Sequence, residues 1–185
     1  MSVEALKQTV AVARGVLANT TKEQLTQPTP CAQWDVAALI NHMVSANYFF
    51  ESGLTGKPSG DMSQDFAAGD YLSAYDEATS ACIAAFSADG VMEQMHKLPF
   101  GEMPGSAFVG LAMNDTFTHA WDLAKATGQS TDLAPQAAEM LLAQARQSIQ
   151  PAFRSEEGTV FGPEKTAPAG STKADELAAF LGRDV

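Results

Sequence analysis

The chain has 185 residues, 45% hydrophobic and 18% charged, a balance that excludes a disordered segment and leaves room for a full core, most simply one domain over 1–185. Lys and Arg number 11 against 22 Asp and Glu, a net charge of −11 that argues against nucleic-acid backbones and anionic membranes as partners. No apolar run reaches the roughly 18 residues of a membrane span, Met1-Ser2-Val3-Glu4 lacks the marks of a secretion signal, and Cys31 and Cys82 form no CxxC pair, so the expectation is a cytoplasmic protein without a Cys-rich zinc site.

In chain order, Leu6, Val10, Ala13 and Leu17 recur at helical spacing and predict a first helix over 3–18. Thr26 to Pro30 break it, and a second helix is predicted from about Gln33 to Ser52. Its main apolar face runs through Val36, Leu39, Ile40, Met43 and Phe50. His42 sits beside that face, in line with Asp35, Ala38, Ala46 and Phe49. Alanines one turn before and after a histidine leave space for a metal, waters or a substrate; a packed or surface histidine is the plainer reading. Cys31, at the start of this helix, reads as a buried cap or a reactive thiol. Eleven helical residues at about 1.5 Å each would put it about 16 Å from His42, too far to share an ion. Trp34 reads as packing or as a pocket wall.

Residues 53–69 hold five glycines or prolines and predict a loop. A third helix follows over about 70–87, with Leu72, Tyr75, Thr79, Cys82 and Phe86 on its apolar side. The link around Leu98–Gly105 is too rich in Gly and Pro for a long helix, with a short extended piece predicted at 97–100. His96, in this link, lies on no clear face and is not expected to touch a metal.

Ser106 is the expected N-cap of a fourth helix that stops near Gly128. This helix carries Asp115 and His119, four residues apart and therefore one above the other on one face. Asn114, Thr118 and Lys125 form the expected solvent side. Asp115 and His119 fall instead on the stripe of Phe108, Leu111, Ala112 and Leu123. An ionised carboxylate there requires a partner: a shared metal ion, or a hydrogen-bonding or ionic neighbour. Asp122, one turn on, either orients a histidine or sits at the surface. A further helix is predicted over 134–153, a Pro/Gly-rich tail over 160–170 and a short helix over 173–181. The pattern is all-α, a helical bundle of the kind that builds sites from facing helices.

Three blocks in order resemble one known group. They are Thr29-Pro30-Cys31-x-x-Trp34-Asp35-Val36 leading to Asn41-His42; Asp115-x-x-x-His119-x-Trp121-Asp122-Leu123-Ala124-x-Ala126-Thr127-Gly128; and Phe161-Gly162-Pro163-Glu164 with Phe180-Leu181-Gly182-Arg183-Asp184. Together they resemble the DinB/YfiT-like superfamily, and within it the group of the mycothiol-dependent maleylpyruvate isomerase N-terminal domain. The resemblance implies an up-down-down-up four-helix bundle with a short C-terminal tail and helix. It also implies a divalent metal, zinc or alternatively nickel, held by His42, Asp115 and His119. The carboxylate is Asp where the isomerase-like pattern has Glu, one methylene shorter. The isomerase's substrate-binding second domain has no counterpart in the pattern, which points away from maleylpyruvate isomerisation itself.

Three protein ligands leave zinc an open position, as catalytic sites do. A thiol bound there becomes a nucleophile, whereas a bound water becomes a hydrolytic one. The resemblance favours mycothiol or a similar low-molecular-weight thiol as cosubstrate, and so a thiol transferase or isomerase acting on a small electrophile, as monomer or homodimer. A metal-dependent hydrolase and a non-catalytic metal- or ligand-binding stress-response module remain the alternatives. Protons compete with metal for histidine ligands, and an unperturbed histidine pKa of about 6.5 sets the expectation that affinity falls below about pH 6.

Overall fold

A computed structural model describes residues 1–59, 61, 63–155 and 161–185. Positions 60 and 62 of the predicted loop and position 160 at the start of the predicted tail lie outside the described residues. Helix α1 spans Val3–Ala18, opened by the Ser2 side chain accepting from the Ala5 N–H. Helix α2 spans Val36–Thr55, α3 Tyr71–Phe86 and α4 Gly105–Ala126; α5 spans Pro135–Ser148 and α6 Lys173–Phe180. Short 3-10 turns sit at Lys22–Gln24 and Pro151–Phe153. Among the described residues, no helix is long and apolar enough to cross a membrane.

Side-chain bonds fix the direction of each helix. Gln129 Nε2 donates to the Val16 carbonyl and Gln24 Nε2 to the Thr127 carbonyl, so α1 and α4 end together. The Tyr71 hydroxyl donates to the Thr20 carbonyl, placing the start of α3 at the end of α1. Asn41 accepts from the Ala67 N–H and donates to Asp65, which returns the 56–69 loop to the start of α2. Helices α2 and α3 therefore run the same way and α1 and α4 the other: up, down, down, up. The all-α DinB-like bundle expected from the sequence is the fold observed.

Helix α4 lies at the centre. Phe108, Val109, Met113, Phe117, Ala120, Trp121 and Leu123 are all buried. One stripe departs from expectation: Thr118, expected at the solvent face, is buried, whereas Lys125 is exposed. The flanking α5, α6 and tail cover much of the side that an isolated four-helix bundle would show to water.

The link before α4 is more ordered than its Gly and Pro content predicts. Strands β1 (Met95–Leu98) and β2 (Gly101–Pro104) pair antiparallel, Leu98 opposite Gly101, around a Pro99-Phe100 turn. The extended piece thus begins at Met95 and stops at Leu98. Ser106 is not the N-cap. Pro104 holds that position, and the N–H groups of Gly105 and Ser106 donate to the Gln94 and Met92 carbonyls instead. Gly105 is required here, because a Cβ would stand 2.2 Å from the Val91 carbonyl oxygen. Helix α5 stops at Ser148, five residues short of expectation, because Pro151 has no N–H to continue the ladder.

The tail runs back across the bundle. Arg154 donates to the Gly162 and Phe180 carbonyls at 2.9 and 2.8 Å. Gly162 and Gly182 cross in backbone contact: Gly182 has φ +97, and a Cβ on it would sit 2.7 Å from the Gly162 Cα. This crossing delivers Arg183 to the end of the bundle where α2 begins and α4 ends.

Candidate metal centre

Helix α2 begins at Val36, three residues later than predicted, because the Asp35 side chain caps it by accepting from the Ala38 N–H. His42 follows in the second turn. Across the seam, α4 presents Asp115 and His119. His42 Nε2 lies 3.3 Å from Asp115 Oδ1, and His119 Nε2 lies 3.6 Å from the same oxygen. Donors on a tetrahedron around a zinc ion, each about 2.1 Å from it, stand about 3.4 Å apart. All three ligand atoms lie within 4.8 Å of one another. Two imidazole nitrogens and one carboxylate oxygen at this spacing fit a divalent ion, and the shorter Asp side chain still reaches both rings.

The opposite edge of His119 is held firmly. Its Nδ1 donates to Asp122 Oδ2 at 3.0 Å, which leaves Nε2 facing Asp115 and His42. A carboxylate behind a metal-facing histidine fixes the ring and raises its basicity. Asp122 is fully buried and receives two bonds from Arg183: Nη2 to Oδ2 at 3.0 Å and Nε to Oδ1 at 3.2 Å. Of the two positions open to Asp122 from the sequence, orienting group or surface residue, the structure shows the first. Arg183 lies in a quoted motif to which the sequence assigns no role, and the arginine that holds Asp122 is identifiable only from the tail's path.

Charge follows from this arrangement. Burial opposes protonation of His119, but Asp115, Asp122 and Cys31 outweigh it and raise its pKa to about 10. Burial pushes the Asp122 carboxyl up, yet His119 and Arg183 bring it down to about 2. Burial likewise raises the Asp115 carboxyl, while His119 and His42 hold it below the usual carboxylate value. Without a metal, His119 is an imidazolium clamped between two carboxylates.

The remaining sequence candidates divide. Cys31 is not the helical cap expected. Residues 31–34 form a turn, with Trp34 N–H donating to the Cys31 carbonyl, and this folds the thiol back over the site. Its Sγ lies 3.2 Å from Asp122 Oδ2 and 3.6 Å from Arg183 Nη2. The 16 Å separation assumed a helix that the chain does not form there. Cys31, His119 and Asp122 consequently make a second group of metal-capable atoms, with the Arg183 guanidinium already beside it. Trp34 walls the triad, its ring centroid 4.6 Å from that of His42 and 5.5 Å from that of His119. Trp121 packs in the core and donates to Asp175. His96 is buried on β1 with its Nε2 2.9 Å from the Val91 carbonyl oxygen, apart from both groups of metal-capable residues.

Residues 6–124 match the model of the mycothiol maleylpyruvate isomerase N-terminal domain, a stretch that contains His42, Asp115, His119 and Asp122. An uncharacterized protein of Mycobacterium tuberculosis, found in two strains, is 44% identical over 171 residues, covering 92% of this chain and 91% of its own. The crystal structure of the mycothiol-dependent maleylpyruvate isomerase superposes with a TM-score of 0.55 at 12% identity, over 76% of this chain and 66% of that one. A point mutant of the same enzyme gives a TM-score of 0.56. These structural matches show a shared fold, and this chain spans about two thirds of the isomerase's length. The chain belongs to the family of the mycothiol maleylpyruvate isomerase N-terminal domain.

Proposed function

We propose that the chain acts as a metal-dependent thiol transferase or isomerase, using mycothiol or a similar low-molecular-weight thiol on a small electrophile. The observation that carries this reading is the convergence of His42 Nε2, Asp115 Oδ1 and His119 Nε2 within 4.8 Å, with the other edge of His119 tied to Asp122. We take 1–185 as one functional unit, because Arg183 near one end of the sequence anchors the residue that orients His119.

In this reading His42, Asp115 and His119 hold one divalent ion, zinc or nickel. When bound, such an ion lowers the pKa of a thiol beside it and makes it a nucleophile at neutral pH. The protein's own residues do the rest. Asp122 and Arg183 keep Nε2 of His119 toward the ion. His119 Nε2 would have to give up its proton to serve as a ligand, since that nitrogen cannot hold both. Trp34 shields one side of the triad from water. The Asp115 carboxylate supplies the negative charge that offsets the cation.

The test is thiol consumption with a generic neutral electrophile, measured with and without Zn2+ and repeated with His119→Ala. Metal-dependent consumption that disappears in the variant is the expected result. Hydrolysis of activated esters without thiol consumption would instead establish a hydrolase. Metal uptake with neither activity would leave a binding module.

A further inference from the structure

The seam between α2 and α4 continues beyond the triad. His42 faces Asp115 at 3.3 Å, and seven residues further along α2 the Phe49 ring meets Phe108 edge-on, centroids 6.3 Å apart. The residue numbers of each facing pair have the same sum, as antiparallel helices in constant register require. That register sets Ala46 beside Leu111, midway between the pairs. Ala46 is small and nearly covered, while Leu111 and Phe49 are half-buried. At the far end the hairpin brings in Phe100, 57% exposed, with its centroid 6.3 Å from that of Phe49. Gly53 permits this docking, since a Cβ there would stand 2.7 Å from Leu98 Cδ2. The result is a strip formed by Ala46, Leu111 and Phe49 that runs about 10 Å along α2 from His42 to Phe49, with Trp34 and the triad at one end and Phe100 beyond the other.

Charge around this strip is informative. Of the 11 Lys and Arg residues, only Arg183 contacts the site among the described residues, and it is bound to Asp122. Lys97, on the hairpin, projects into solvent with its side chain 88% exposed, paired to Glu102. None of the residues outside the described set is Lys or Arg. A dianionic electrophile would find the Arg183 guanidinium already bound to Asp122 and would approach a protein of net charge −11.

We infer that the electrophile is an uncharged molecule with an apolar body, its reacting end at the triad and its body along Ala46, Leu111 and Phe49 toward Phe100. This rests on the thiol-and-electrophile reading and names its substrate class.

Equilibrium binding tests it without turnover. Zn2+-reconstituted protein is titrated calorimetrically with straight-chain hydroxamates from two to eight carbons, whose head group chelates the metal. Affinity should rise about fourfold per methylene, as for an apolar chain leaving water. An eight-carbon hydroxamate ending in a carboxylate should bind at least tenfold more weakly than its methyl-ended counterpart. Phe100→Ser, at an exposed turn and so neutral to folding, should flatten only the last increments; Leu111→Ser should flatten the middle ones. A series with no chain-length dependence, or tighter binding of the carboxylate-ended compound, overturns the inference and leaves the metal reading intact. Failure of the protein to take up any divalent ion overturns both.

Discussion

Zinc binding should expel about one proton per ion at pH 7.5, and that proton should come from His119. The ring is an imidazolium with a pKa of about 10 in the metal-free chain, held by Asp115 on one edge and Asp122 on the other. At pH 7.5, about 2.5 units below that value, roughly one ring in 300 is neutral. Apparent affinity is therefore reduced about 300-fold from its high-pH limit, and its logarithm should rise with a slope near one from pH 6.5 to 8.5. This moves the window above the value near pH 6 expected from an unperturbed histidine. Competition against a chromogenic chelator gives the slope, and calorimetry in buffers of different ionisation enthalpy counts the proton.

The metal-free protein should respond in the opposite direction. A folded-state pKa raised above about 6.5 stabilises the fold fully below that value. That contribution is lost as pH climbs through about 10. The metal-free melting temperature should fall between pH 7 and 10 while the rise caused by Zn2+ grows. An affinity independent of pH over 6.5–8.5, or zinc uptake without proton release, would refute the assignment of His119 as a ligand through Nε2.

Asp115→Asn should weaken zinc binding at least tenfold in the same chelator assay, because an amide is a poor substitute for a carboxylate on a dication. Arg183→Ala should lower the unfolding free energy in urea by about 3 kcal/mol, since it leaves the buried Asp122 carboxylate without its guanidinium; zinc affinity should fall about tenfold with the loosened His119. Gly105→Ala should cost about 2 kcal/mol by thermal or urea unfolding, because its methyl would press on the Val91 carbonyl. His96→Ala and Cys31→Ala should each retain one zinc per chain by elemental analysis, since neither belongs to the His42–Asp115–His119 group.

Periodicity makes the helices legible because most of them bury one stripe and expose another. The bundle's four long helices are predicted with boundaries shifted by a few residues at most, and Asp115 and His119 stand out as a candidate pair by their spacing on α4, His42 by its alanine neighbours on α2. Thr118 escapes that reasoning because it assigns every helix a solvent side, whereas α4 is enclosed by its neighbours. The hairpin is understated because its order comes from pairing and from docking against α2, neither of which a four-residue strand announces. Cys31 is placed too far away when a helical rise per residue is applied to a segment that turns. Arg183 is separated from Asp122 by 61 positions, and only the path of the chain brings the two together.

The crossing of Gly162 over Gly182 makes the site sensitive to residues that never approach it. A side chain at Gly182, where φ is +97 and a Cβ would stand 2.7 Å from the Gly162 Cα, must force the two touching backbones away from each other, and the movement would carry Arg183 away from Asp122. Such a substitution would loosen the carboxylate that orients His119. It would do so without changing any ligand. Variation at Gly182 thereby offers a way to adjust the seating of His119 from the tail while every candidate ligand stays in place.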